Sequence, residues 1–177
     1  GSWAQVKGAN LADVTRIWGD ADFNDGNNLP TSLNGTQVRV NNLPAAVYFI
    51  SPTQVSFQVP AGVSGNASVQ VVRNGVSSNT VTGAAPASAP GLFGYTIGAK
   101  TYPAAIFANS FLVVGDPAVA GSAVRKAVPG DRIQLYATGL TSSPAGVIIT
   151  SVADVSGVTA TIGTTPATVE FAGLVAV

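Results

Sequence analysis

The chain has 177 residues, 46% of them hydrophobic and only 9% charged, with a formal net charge of zero and a mean hydropathy of +0.37. That length is enough for one large or two small domains with a substantial core, and the charge content lies far below the roughly 25% of an average soluble domain. His and Cys are both absent, which excludes Ser-His-Asp and Cys-His catalysis, disulfides and the commonest transition-metal ligands.

In chain order, almost every segment reads as strand and turn. Gly1-Ser2-Trp3-Ala4-Gln5-Val6 leads to Asn10-Leu11, and Asp20-Ala21-Asp22-Phe23 suits a single short helical turn. Val38-Arg39-Val40, Val47-Tyr48-Phe49-Ile50, Val55-Ser56-Phe57-Gln58-Val59 and Ser68-Val69-Gln70-Val71-Val72 are short, rich in β-branched and aromatic residues, and partly alternating. Asn34-Gly35 and Asn74-Gly75 are dipeptides that readily take positive φ, and the second lies between apolar stretches as a tight hairpin requires. Gly83 to Gly91, with Pro86 and Pro90, holds little that anchors a core and is the natural boundary. Tyr95-Thr96-Ile97, Ala105-Ile106-Phe107 and Phe111-Leu112-Val113-Val114 then predict one or two hairpins, and Asp116-Pro117 to Pro129 a connecting loop.

The unit that opens the chain starts again after this loop. Gly130-Asp131-Arg132-Ile133-Gln134-Leu135, ending at Gly139-Leu140, lines up with the N-terminal stretch. Pro166-Ala167-Thr168-Val169-Glu170-Phe171 lines up with Pro44-Ala45-Ala46-Val47-Tyr48-Phe49, and Ala160 and Ile162 lead in as Val38 and Val40 do. No counterpart of Val55 to Val81 follows. The pattern predicts an all-β chain of two β-sandwich units: residues 1–85, a linker and hairpin connector at 86–128, and 129–177 lacking its last strands. A half-built sheet exposes unpaired backbone and apolar surface, so the assembly edge is expected at Val169, Phe171, Leu174, Val175 and Val177.

Few residues offer chemistry. Asp20, Asp22 and Asp25 place carboxylates in a spacing that a hard cation such as calcium would accept. Gly26 falls one place late for a calcium loop, however, and Thr31 stands where a bidentate Glu belongs. The other reading is a capped turn with Phe23 pinned inside. The same carboxylates are too close in sequence to flank a glycoside, so no catalytic residue and no obligate cofactor is expected, and the chain does not read as an enzyme. Trp3, Trp18, Tyr48, Tyr95, Tyr102 and Tyr136 would stack on a glycan if several shared a face, and otherwise serve as core or interface anchors. Basic residues are dispersed apart from Arg125-Lys126, which excludes a nucleic-acid footprint. No apolar run is long enough for membrane insertion. With no Met in the sequence, it is expected to be a mature form, a tagged fragment or part of a longer chain, any export signal already removed.

Several of these motifs together resemble a family. Gly1-Ser2-Trp3 through Gly8-Ala9-Asn10-Leu11, Leu29-Pro30-Thr31-Ser32-Leu33, Ser51 to Pro60 and Asn74-Gly75-Val76-Ser77-Ser78-Asn79 are similar to the uncharacterised C-terminal domain family of secreted acidobacterial proteins. Pro129-Gly130-Asp131, Leu135 to Leu140 and Phe171-Ala172-Gly173-Leu174 match its second half. More distantly, each repeat resembles immunoglobulin-like IPT/TIG modules. The resemblance implies export to the cell surface or beyond and an immunoglobulin-like fold, with no functional residues to carry over, and members normally continue for two or more strands past the Gly173-Leu174 position.

The leading expectation is therefore a non-catalytic extracellular structural module. It would self-assemble with copies of itself, or with another segment of its parent protein, by strand complementation into a filament or surface layer. The alternative is an adhesive or carbohydrate-binding module of a larger secreted protein.

Overall fold

The computed structural model describes residues 1–23, 26–110, 112–121, 123–141 and 143–174. Its backbone divides into two compact units, Gly1–Ala89 with Thr141–Val177, and Pro90–Leu140.

The first unit is built on eight strands: β1 (Trp3–Lys7), β2 (Arg16–Ile17), β3 (Thr36–Val40), β4 (Leu43–Ile50), β5 (Gln54–Gln58), β6 (Gly65–Arg73), β7 (Val76–Ser77) and β8 (Val81–Ala85). They pair in the order β1-β5-β4-β3-β6-β7, with β2 added to β4 and β8 to β6. β4 belongs to both halves of the curl. Its first residues pair with β3, and its later ones with β5 and β2. Inward-facing residues of β3, β4, β5 and β6 then meet across the layers. Val38, Val40, Ala45, Val47, Ile50, Val55, Phe57 and Val71 form one buried cluster, with Leu11, Ala12, Leu33 and Ala67. At about 1.5–3 kcal/mol for each large apolar side chain fully buried, this cluster is the main source of stability. The chain is all-β, and this unit is an immunoglobulin-like β-sandwich.

Local chemistry explains its corners. A bulge separates the pairs Val47↔Phe57 and Phe49↔Ser56, leaving Tyr48 without a partner on β5. Such an extra residue bends a strand and shifts its alternation, so that Val47 and Ile50 are both buried. Asn41 and Asn42 join β3 to β4 with φ of 49° and 66°, the doubly positive pattern of a type I′ turn. The Asn41 side chain also accepts the Ser68 N–H at 2.8 Å, which fastens this turn to β6.

The second unit contains β9 (Gly91–Leu92), β10 (Gly94–Ile97), β11 (Lys100–Pro103), β12 (Ala105–Phe107), β13 (Val113–Val114), a short helix α1 (Pro117–Ala120), β14 (Val124–Arg125), β15 (Ile133–Leu135) and β16 (Ala137–Thr138). β10 and β11 form a hairpin with Tyr95 stacked on Tyr102 at 5.7 Å. β14, β13, β12 and β15 make a four-stranded sheet whose buried side chains are Ala105, Phe107 and Val124. The stretch expected as a plain loop thus holds α1 and β14. Asp116 starts the helix by accepting the Ala118 N–H at 3.1 Å, and Pro117 sits at its first position, where a missing N–H costs nothing. Arg125 lies 3.7 Å above the Phe107 ring and forks onto Asp131 at 2.9 and 3.0 Å, tying the loop to the sheet.

This unit also supplies a strand that the sequence order conceals. β1 pairs with β5 through Ala4↔Phe57, Gln5↔Ser56 and Val6↔Val55. β15, the repeat of β1, pairs with β12 through Ile133↔Phe107, Gln134↔Ile106 and Leu135↔Ala105. β12 therefore stands to β15 as β5 stands to β1, although it precedes β15 instead of following it. Antiparallel pairing depends on register and side-chain pattern, so a partner from upstream serves as well. The other edge of β12 is taken by β13.

The last strands, β17 (Ala153–Asp154), β18 (Ala160–Ile162), β19 (Thr165–Ala167) and β20 (Gly173–Leu174), form two separate pairs, β17 with β20 and β18 with β19. Between Thr141 and β17 the chain is joined to the first sandwich. Leu29 N–H donates to Gly146, Ile148 N–H to Asn27, and Gly146 N–H to the buried Gln58 side chain at 2.6 Å. The backbone thus groups 129–140 with the connector strands and 141–177 with the first sandwich, whereas the sequence pattern placed its boundaries at 85 and 128.

Candidate functional site

The repeat is exact in geometry where it is strongest in sequence. β3 and β4 pair through Val38↔Ala45, Arg39↔Pro44 and Val40↔Leu43. β18 and β19 pair through Ala160↔Ala167, Thr161↔Pro166 and Ile162↔Thr165, the same residues of the repeat in the same register. The preceding turn recurs as well. Gly157, at φ 74°, stands between Val155 and Val158 as Gly35, at φ 73°, stands between Leu33 and Thr36.

What differs is the cover. Val40 is 1% exposed and Ile162 69%. Val47 is 0% exposed and Val169 37%, while Phe171 is 58% exposed. In the first copy, β6 lies along β3 through Val38↔Val71, Arg39↔Gln70 and Val40↔Val69, and β5 lies along β4. Among the described residues, β18 and β19 pair only with each other. The open edge of β18 and the apolar side chains at 162, 169 and 171 form the candidate site.

Of the expected assembly-edge residues, Val169 and Phe171 are exposed beside this hairpin. Leu174 is half-buried on β20 opposite Ala153. Val175 and Val177 lie outside the described residues. Sequence reasoning missed Ile162 as an edge residue, although its alternation with Ala160 carried the signal.

The acidic cluster is arranged as a turn. Asp20 to Asp22 form a 3-10 helix, and the Asp22 carboxylate accepts the Gly19 N–H at 2.8 Å and pairs with Arg16. A cation there would compete with the Arg16 guanidinium for Asp22. Asp25 lies outside the described residues, and among the described residues no group of three acidic, His or Cys side chains is placed to hold a metal.

Three of the six candidate aromatic residues, Trp3, Trp18 and Tyr48, come together, and Phe23 joins them. Trp18 meets Trp3 at 5.8 Å, Tyr48 at 4.8 Å and Phe23 at 5.4 Å, all edge to face. Trp3 also meets Tyr48 at 5.8 Å. Tyr48 faces outward next to the buried Val47, which brings its ring to Trp18. Rings set edge to face spend their faces on one another, so the cluster fastens β1, β4 and the Trp18–Phe23 segment together.

The family model of the IPT/TIG domain matches residues 24–84. Residues 24–84 are thus similar to an immunoglobulin-like module. The matched span runs from before β3 into β8 and so contains the covered copy of the hairpin with both strands that cover it. No curated protein and no solved structure matches the chain. The IPT/TIG-like region leaves β1, the connector and the second hairpin outside the match. No helix among the described residues is long and apolar enough to cross a membrane.

Proposed function

We propose that this chain is a non-catalytic structural module of the cell exterior that assembles with copies of itself by accepting a β-strand at β18–β19. One observation carries the reading: the same hairpin, in the same register, is covered by β5 and β6 in the IPT/TIG-like region, and in its repeat no other strand among the described residues pairs with it. An added strand would bond to the backbone of β18 and seat apolar side chains against Ile162, Val169 and Phe171, as strand addition does in peptide recognition. Because donor and acceptor are different surfaces, the contact is heterologous, and its repetition builds a filament or surface layer instead of a closed dimer. The low charge of the chain suits such packing, since little electrostatic repulsion opposes it.

Sedimentation velocity over a wide concentration range, followed by electron microscopy, tests this. Growing polymers that vanish in an Ile162→Lys, Phe171→Lys double variant are the expected result. A wild-type chain that stays a monodisperse monomer at high concentration overturns it. Location is tested separately, by the sensitivity of the protein to protease added to intact cells.

A further inference from the structure

A second site lies on the opposite chemistry: a polar cleft on the outer face of the first sandwich. Gln37 and Arg39 of β3, Gln70 and Val72 of β6, and Ser77 of β7 line a cavity of about 390 Å³. Gly35, Asn74 and Gly75, from the two tight turns, close one end. The size is that of a pocket for one or two sugar rings.

Half of the 16 charged side chains of this protein are committed to ion pairs. Arg16 is held by Asp22, Arg73 by Asp13, Arg125 by Asp131, and Lys126 by Asp116. Asn74 at the end of the cleft is committed too, its amide donating to Asp13 at 2.9 Å. Arg39 differs. It is exposed, stands across from Gln70 in the sheet, and among the described residues neither an acid nor any other polar group engages its guanidinium. Among the described residues the side chains of Gln37 and Ser77 are likewise unengaged, and Gln70 uses only its amide nitrogen, on the Ser78 carbonyl at 2.9 Å, leaving its oxygen to accept. The lining contains no carboxylate.

We propose that this cleft binds a sugar acid, a uronate residue of an acidic polysaccharide. The planar fork of Arg39 matches a carboxylate with two parallel hydrogen bonds, which a point charge would not select. The amide of Gln37, the free oxygen of Gln70 and the hydroxyl of Ser77 supply the mixed donors and acceptors that ring hydroxyls need, and Val72 gives an apolar floor for the ring. Strands β3, β6 and β7 hold these groups on a rigid sheet, so little order has to be gained on binding. The site is independent of the β18–β19 edge.

Titration of the isotope-labelled protein with D-glucuronate and with a short oligouronide, followed by NMR, tests the assignment. Expected are saturable shifts centred on Gln37, Arg39, Gln70 and Ser77, weakened by salt, with glucose at the same concentration causing none. Arg39→Gln should weaken binding about tenfold or more, as loss of a charged hydrogen-bond pair does, and Arg39→Lys should restore it only in part. Arg39 is exposed, so both variants should fold as wild type does. Absence of shifts, shifts centred elsewhere, equal binding of glucose, or full binding by Arg39→Gln would each overturn the proposal. Equal binding of an oligoglutamate peptide would overturn it in favour of an acidic protein segment.

Discussion

The hairpins β3–β4 and β18–β19 share register and alternation, yet one lies in the centre of a core and the other is largely in solvent. The difference shows that the hairpin is a local product of its sequence, whereas its burial is contributed by other strands. In the first copy those strands are β5 and β6, whose Val55, Phe57 and Val71 meet Val38, Val40 and Val47 in the core. In the second, the strand playing the part of β5 is β12, and its edges are filled by β15 and β13. A bare hairpin with this alternation is a ready template for another strand.

The largest effect should separate the two copies outright. Val40→Asp places a carboxylate with no partner in a site 1% exposed and should leave the first sandwich unfolded at 25 °C by circular dichroism. Ile162→Asp, at the equivalent position, should change the unfolding free energy from urea titration by less than about 0.5 kcal/mol in dilute protein. Loss of folding in both variants would mean that the second hairpin is already covered in solution.

The turns offer a finer contrast. Asn41→Ala keeps a positive φ on a residue that resists it and removes the bond to Ser68, so a global loss of about 2 kcal/mol is expected. Gly163, at φ 62°, begins the second turn. Gly163→Ala should open that hairpin locally, visible as faster amide exchange at Ile162 and Thr165, with the urea midpoint unchanged. A fall in the midpoint would join the two hairpins into one cooperative unit.

Thr36 gives a smaller test of opposite sign. It is fully buried, and among the described residues its hydroxyl has no partner, whereas the repeat carries Val158 at the corresponding place. Thr36→Val should stabilise by about 1 kcal/mol, because an unpaired hydroxyl gives way to a methyl of the same shape. A destabilised variant would show that the hydroxyl is satisfied in solution.

Acid should act away from both hairpins. Bonds from the Arg125 side chain and then the Val128 N–H hold the Asp131 carboxyl below its ordinary value, and bonds from the Ala118 N–H and then Lys126 do the same for Asp116. A carboxyl lowered by folding contributes stability above its unfolded value, and this is lost as pH falls through the lowered one. Amide protection at Ala118 and Val128, relative to the intrinsic exchange rate at each pH, should therefore fall first on acidification, and Asp131→Asn should flatten the response at Val128. Earlier exchange at Val40 or Ile162 would contradict this, since their contrast rests on aliphatic side chains.

Much of this was legible from local chemistry. Asn74-Gly75 makes the tight hairpin between β6 and β7 that its dipeptide signals, with φ of 49° and 82°. The Pro-Ala repeat located both copies of the β3–β4 hairpin. α1 went unseen because its short span turns on the Asp116-Pro117 cap, which no hydrophobic period announces. The grouping of Trp3, Trp18 and Tyr48 joins β1, β4 and the segment after β2, and no local pattern announces that these lie side by side. The Arg39 cleft is likewise invisible along the chain, since its lining comes from β3, β6 and β7.

By itself the sequence determined the all-β class, the main turns and the repeated hairpin, because alternation and positive-φ residues act within a few positions of the chain. Only the tertiary structure decided which copy is covered, that β12 serves β15 from upstream, and that Arg39 shares a cleft with Gln37, Gln70 and Ser77. Those depend on which strand lies beside which, and strands far apart in the chain become neighbours only through the shared core.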